Sequence, residues 1–281
     1  MSQPEIKLVT DSASDLSDNL LQEHDIEMVP LAIHFNKREY RDRVDISIDE
    51  FYRKMTSSED FPATSQVNPN QFLEVFERHL SANRDIVFVG LSLKLSGTVQ
   101  SAQIAKEMLK SDRIHVYDSF SFSLGEGLCV LAAADMIAQR ASVDAVCQAI
   151  DTHRRDNFCC FVLDNLEHLV RGGRLRKAQA VIGSLLNIKP LLSATEEGAV
   201  IVKEKVRSQA KALDTIIQRA KEFAPDYSER RVAVAHTHAP ALAEEFAARV
   251  QGELKPKEIV VSSVGATIGT HAGVGGVGLF T

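Results

Sequence analysis

The run Asp85-Ile86-Val87-Phe88-Val89-Gly90-Leu91 decides the fold, read with the segments that follow it: Leu95-Ser96-Gly97-Thr98, a helix-patterned stretch to Leu109, and a second apolar run from Arg113 to Tyr117. Short apolar strands alternating with helices indicate a parallel sheet covered on both faces. Upstream, Ile6 to Thr10 reads as a strand, Asp15 to His24 as a helix and Glu27 to Phe35 as another strand. Ser47-Ile48-Asp49-Glu50 is a capping box, and Asn68-Pro69 opens a helix through Leu80, with Pro69 placed where a missing N–H costs nothing.

Downstream the pattern changes. Helices near 122–140 and 142–156 are followed by strands at Phe158–Leu163, Pro190–Thr195, Ala199–Glu204, Arg231–His236 and Glu258–Val264. Thr195-Glu196-Glu197-Gly198 joins two of these tightly, the mark of a hairpin and of a mixed or antiparallel sheet. The expected fold class is α/β in two domains. Residues 1–157 form a parallel sheet flanked by helices, and residues 158–281 form a mixed or antiparallel sheet with helices. No Gly/Ser-rich linker or fixed-period repeat separates them, so close packing is expected.

The 281 residues suffice for a sizeable core, and 44% hydrophobic with 25% charged residues is the composition of a globular protein. A net charge of −6 gives no general grip on nucleic acid, which requires clustered cations. The opening Met1-Ser2-Gln3-Pro4-Glu5 lacks the basic and apolar pattern of a signal peptide, and no apolar run approaches the roughly 20 residues that cross a bilayer. Cys129, Cys147, Cys159 and Cys160 lack C-x-x-C spacing and read as reduced small hydrophobes, so a cytoplasmic location is expected.

Several catalytic motifs fail on inspection. Gly273-Val274-Gly275-Gly276-Val277-Gly278 matches G-x-G-x-x-G, but the fingerprint needs a following helix to hold a pyrophosphate, and only Leu279, Phe280 and Thr281 follow. The segment from Gly183 to Pro190 lacks the second glycine and hydroxyl of a P-loop, and no G-x-S-x-G elbow occurs. His236-Thr237-His238 offers two imidazoles, without the further ligands a metal site needs, so no metal and no cofactor are expected. Asp11-Ser12, Ser96-Gly97 and Asp118-Ser119 each follow an expected strand and should gather on one sheet edge, where ligands of such sheets bind. For the two Asp-Ser pairs, turn and helix-cap chemistry is the favoured reading.

What remains are runs of small polar residues. Thr10-Asp11-Ser12, Ala63-Thr64-Ser65-Gln66, Leu95-Ser96-Gly97-Thr98 with Ser101-Ala102, Gly172-Gly173-Arg174, Leu186-Asn187-Ile188-Lys189-Pro190 and Gly269-Thr270-His271-Ala272-Gly273 together resemble the DegV family, in order and over nearly the whole chain. The resemblance implies a two-domain α/β protein that holds one long-chain fatty acid between its domains and presents it to a separate fatty acid kinase. The kinase phosphorylates the carboxylate, and the acyl phosphate feeds phospholipid synthesis. It places the carboxylate at Thr64, Ser96 and His271, with the Gly97 backbone nearby. Val67, Ala266 and Val274 stand where the family more often has proline, and Val99 where it has an aromatic residue; none removes a donor.

The chemistry of the residues agrees, because hydroxyls, N–H groups and an imidazole are donors to a carboxylate and charge-assisted bonds are stronger than neutral ones. Neutral donors would also leave the head group charged and its oxygen nucleophilic. Affinity would come from the acyl chain: at ~0.8 kcal/mol per buried CH₂, a long chain gains about 10 kcal/mol before ordering costs. The lining expected in the second domain is Phe161, Ile182, Leu185, Leu186, Ile188, Leu191 and Ile201. The resemblance ties Arg174 and Arg207 to docking the kinase, and a local basic patch on an acidic protein suits an acidic partner. The expected protein is a fatty-acid binder and not itself an enzyme; it binds no nucleic acid, and transient contact with a membrane surface is compatible with its cargo. Two other readings stay open: an enzyme on a small carboxylate with His271 as general base, and a regulator controlled by lipid occupancy.

Overall fold

The computed structural model describes residues 5–35, 37–58, 60–175 and 188–281. Strand β1 (Ile6–Asp11) runs into a short 3-10 turn, Ser12–Ser14, capped by the Asp11 side chain. Helix α1 (Asp18–Glu23) starts later than the helical pattern suggests, because Asp15 takes a left-handed conformation (φ 52°) and Ser17 supplies the cap. The single strand expected over Glu27–Phe35 is two, β2 (Ile26–Val29) and β3 (Ala32–Phe35). Pro30 between them has no N–H for a ladder, and Leu31 N instead donates to Ser12 Oγ at 3.1 Å.

Next come β4 (Arg38–Arg41), α2 (Ile48–Ser57) capped by Ser47, β5 (Ala63–Ser65), and α3 (Pro69–Ser81) with a reciprocal Asn68–Gln71 capping box. They are followed by β6 (Asp85–Gly90), α4 (Thr98–Leu109), β7 (Ile114–Asp118), α5 (Leu124–Ala138) and α6 (Val143–His153). The remainder is β8 (Cys159–Val162), α7 (Glu167–Arg171), β9 (Lys189–Ala194), β10 (Val200–Val206), α8 (Gln209–Phe223), β11 (Arg231–His236), α9 (Pro240–Leu254), β12 (Glu258–Ser263), α10 (Ala266–Ala272) and β13 (Val277–Phe280).

The first sheet, β2-β1-β6-β7, is wholly parallel, as the alternating pattern requires. The second, β10-β9-β8-β13-β11-β12, is antiparallel except for the β11–β12 pair, with the β9–β10 hairpin turning at Thr195–Gly198. A small third sheet, β4-β3-β5, stands apart. Helix α5 links the layers: ten of its fifteen residues are buried, and it packs against β1 and β6 of the first sheet and β11 and β13 of the second. A helix apolar on all sides belongs between layers. One large core therefore runs through both sheets, from Phe88 through Leu128 to Phe161 and Ala233. A second core, including Ile216, Phe246, Val234 and Leu279, lies under α8 and α9.

The G-x-G-x-x-G run ends in β13, a strand inside the second sheet, so its glycines open no helix. All four cysteines are free thiols, three of them buried. No helix among the described residues is long and apolar enough to cross a membrane.

Candidate ligand-binding site

A cavity of about 310 Å³ lies where the β5 strand, the β6–α4 loop, β8 and α10 converge. Its apolar wall includes Leu31, Leu91, Leu95, Phe122, Phe161 and Leu163. Its polar wall carries Thr64, Gln66, Ser96, Gly97, Arg174 and His271.

Each polar group is held by its neighbours. Thr64 Oγ1 and His271 Nε2 are 2.9 Å apart, joining β5 to the last turn of α10 across 207 positions of sequence. Burial pushes the His271 imidazole down to about 4, helped by the charge of Arg174 and by His168, so it is neutral at physiological pH. Its Nδ1 is buried without a partner, against Gly172, where a Cβ would come within 2.1 Å of that nitrogen. An orphaned lone pair costs less than an orphaned N–H, so the proton belongs on Nε2. Nε2–H then donates to Thr64 Oγ1, and the Thr64 hydroxyl keeps its own proton for a ligand.

Ser96 follows the same logic. Its Oγ accepts from Thr98 N at 3.3 Å and lies 2.9 Å from Thr98 Oγ1. With Thr98 donating, the Ser96 proton is free. At Gly97, the residue before α4, a Cβ would fall 2.1 Å from Gln66 Oε1, so a side chain there would displace Gln66 from its bond to Ser101 Oγ at 2.9 Å. The helix starting there adds its positive end to the cavity wall. Donors of this kind, set beside an apolar space, suit an amphiphile with an anionic head.

Arg174 is half-buried and donates to Leu95 O at 3.1 Å and Gly172 O at 2.6 Å. It is thus part of the cavity wall, whereas Arg207 is exposed beyond β10.

Of the expected apolar lining, Phe161 is on the cavity. Leu191 is buried in the other core, with Ile216, and Ile201 follows Val200, which lines the cavity; successive strand residues face opposite sides. Ile188 is half-buried just before β9 and is not on the wall. Ile182, Leu185 and Leu186 lie outside the described residues. Leu31, Leu91, Phe122 and Ile268 carry no sequence signal that marks them as lining; only the convergence of loops brings them there.

Sequence reasoning also missed a buried acidic group behind the site. Asp42 accepts from Thr267 N (3.0 Å), Thr267 Oγ1 (2.5 Å) and Ala266 N (3.3 Å). Asp15 accepts from Gly265 N (2.7 Å) and Ser123 Oγ (2.6 Å). Together they hold the first turn of α10, the helix that carries His271. The Asp-Ser pairs after β1 and β7 do turn chemistry: Asp11 accepts from Ala13 N and Leu91 N, and Asp118 from Phe120 N and Leu93 N. No metal-binding group is found among the described residues.

Burial pushes Asp15 up to about 7 and Asp11 up to about 6. A carboxyl raised in the folded state stabilises below its ordinary pKa and loses that contribution as pH rises through the folded value. Histidines 271 and 153, both pushed down to about 4 by burial, act oppositely: their contribution is present above about 6.5 and lost as pH falls through 4. The two effects oppose one another between pH 4 and 6, and above that the carboxyls dominate. The melting temperature of the ligand-free protein is expected to fall between about pH 6 and 8, and Asp15→Asn to flatten that slope. A melting temperature that rises over this interval contradicts the assignment.

Fold and site together define an α/β protein with an amphipathic cavity walled by residues from both halves of the chain. The chain belongs to the DegV family, whose model, described as uncharacterised proteins of that family, matches residues 5–281. A DegV domain-containing protein of Caldanaerobacter subterraneus is 39% identical over 275 residues, covering 98% of both chains. A DegV family protein of Thermus thermophilus, described for fatty-acid binding, superposes with a TM-score of 0.92 at 34% identity, covering 98% of each chain. DegV of Bacillus subtilis, described as a fatty acid binding protein, superposes at 0.88 with 31% identity over 99% of each chain.

Proposed function

We propose that this protein binds one long-chain fatty acid, with its carboxylate against Thr64, Ser96, Gly97 and His271 and its acyl chain in the apolar part of the cavity. The observation that carries the reading is the Thr64–His271 pair sharing with Ser96 one cavity that is largely apolar, with hydroxyl protons left for an acceptor. The fatty-acid-binding relatives support it.

The same donors leave the carboxylate charged, because none of them transfers a proton to it. A charged, positioned carboxylate oxygen is the nucleophile that a separate fatty acid kinase needs, and the resulting acyl phosphate would enter phospholipid synthesis. In this reading the protein presents substrate and is not the catalyst; Arg207, exposed, and Arg174, at the cavity wall, are the docking candidates.

The test is mass spectrometry of an organic extract of the purified protein. About one fatty acid per chain is the expected result, with acyl phosphate formed only when a fatty acid kinase and ATP are added. An empty extract with no uptake of added fatty acid overturns the binding reading. Turnover of a carboxylate by the protein alone, abolished by His271→Ala, overturns the presenting role.

A further inference from the structure

Behind the cavity lies a second apolar space of about 40 Å³. The two share Phe122, Phe161, Leu163, Ile268 and Ala272, so one wall separates them. The far side of the inner space is formed by Ala235 of β11, by Gly276 just before β13 and by Gly278 and Phe280 within it. Here the G-x-G-x-x-G run finds its use. Leu279 is buried in the core under α8 and α9, whereas Gly276 and Gly278 border the inner space. A Cβ at Gly278 would meet Phe161 Cβ at 2.7 Å, and one at Gly276 would meet Leu163 Cδ2 at 2.7 Å. Glycine at these two positions lets the Phe161 and Leu163 side chains pack directly on the backbone that bounds this space.

The wall itself is aromatic. Phe122 stands edge-on to Phe161, with ring centroids 5.6 Å apart at 78°, and to Phe280 at 5.9 Å and 89°. Its backbone is held between Phe120 (φ 53°) and Ser123 (φ 52°), conformations L-residues rarely adopt. Asp118 fixes the first by accepting from Phe120 N at 2.8 Å, and Asp15 fixes the second by accepting from Ser123 Oγ at 2.6 Å. The surroundings thus specify the backbone position of Phe122, leaving ring rotation as the way to open the wall.

We propose that Phe122, closing on Phe161 and Phe280, is a gate between the outer and inner spaces and sets the acyl-chain length this protein accepts. The proposal rests on the fatty-acid reading. With the gate closed, the chain is confined to the outer cavity. With the ring turned, further methylenes enter the inner space beside Ala235 and Phe280, each raising affinity roughly fourfold. Longer chains are therefore favoured only as far as they displace the ring.

Delipidated protein is offered an equimolar mixture of saturated fatty acids of about 10 to 20 carbons, and the retained acids are quantified after extraction. Phe122→Ala is expected to move the preferred length up by about two carbons or more, raising the ratio of longest to shortest retained acid roughly tenfold. Phe122→Leu should move it less in the same direction. Ala235→Val, which fills the inner space without touching the outer one, should move it to shorter acids. These milder variants keep the test valid should Phe122→Ala fail to fold. Wild-type protein that loads while the folded variants retain the same distribution overturns the gate and leaves the binding reading intact. Wild-type protein that captures no acid overturns both.

Discussion

Thr64→Val combined with Ser96→Ala is expected to weaken fatty-acid binding about 100-fold or more. Hydrogen bonds to a charged group contribute about 1.5–3 kcal/mol each, so losing two amounts to about 3 kcal/mol at the low end. The acyl chain keeps its apolar contacts, and that separates the head-group site from the rest of the cavity. The matched methyl ester, which carries no charge, should bind wild type and variant with nearly equal affinity, while the acid loses its advantage. Titration of both ligands into delipidated protein measures this. Equal affinity of wild type and variant for the acid would place the carboxylate elsewhere. Gly97 and the start of α4 do not change in this variant, so residual discrimination reports what backbone and helix end contribute.

Asp42→Ala is expected to destabilise the ligand-free protein by about 3–5 kcal/mol and to lower its melting temperature by roughly 10 °C. The carboxyl is buried and accepts from Ala266 N, Thr267 N and Thr267 Oγ1. Alanine leaves the amides of Ala266 and Thr267 without an acceptor in a place water does not reach, and leaves Thr267 Oγ1 only Ser12 Oγ at 3.2 Å; each unsatisfied group costs about 1–3 kcal/mol. Asp42→Asn keeps one carbonyl acceptor and should fall between wild type and alanine. The effect should be local in hydrogen exchange, with the amides of 265–273 losing protection first, because α10 is the element whose first turn Asp42 holds. Fatty-acid binding should fall with it, since His271 sits one and a half turns further along that helix. A change in melting temperature under about 2 °C would mean the donors find other acceptors.

The elements were largely legible because they are local. Thr98–Leu109 and Arg231–His236 have the bounds their patterns predict, and Ser17, Ser47, Asn68 and Ser142 all cap the helices that follow them. Where reading failed, a long-range partner had decided. Val29 and Ala32 belong to different sheets because Leu31 N is taken by Ser12. Val200 lines the cavity while Leu191 is in the opposite core because the β9–β10 register settles which side each residue faces.

Of the candidate site, Thr64, Ser96, Gly97 and His271 were legible through the motifs that resemble the DegV family, and the structure brings all four onto one cavity. The tertiary structure alone decided how those donors are aimed and what surrounds them. A side chain's protonation, tautomer and exposure depend on atoms hundreds of residues away. His271 is neutral because it is buried beside Arg174, and its proton sits on Nε2 because Gly172 leaves Nδ1 without a partner. In the same way Asp15 and Asp42, ordinary loop acids in the sequence, become the holders of α10 only once β1, β4 and the 265–267 turn are brought together.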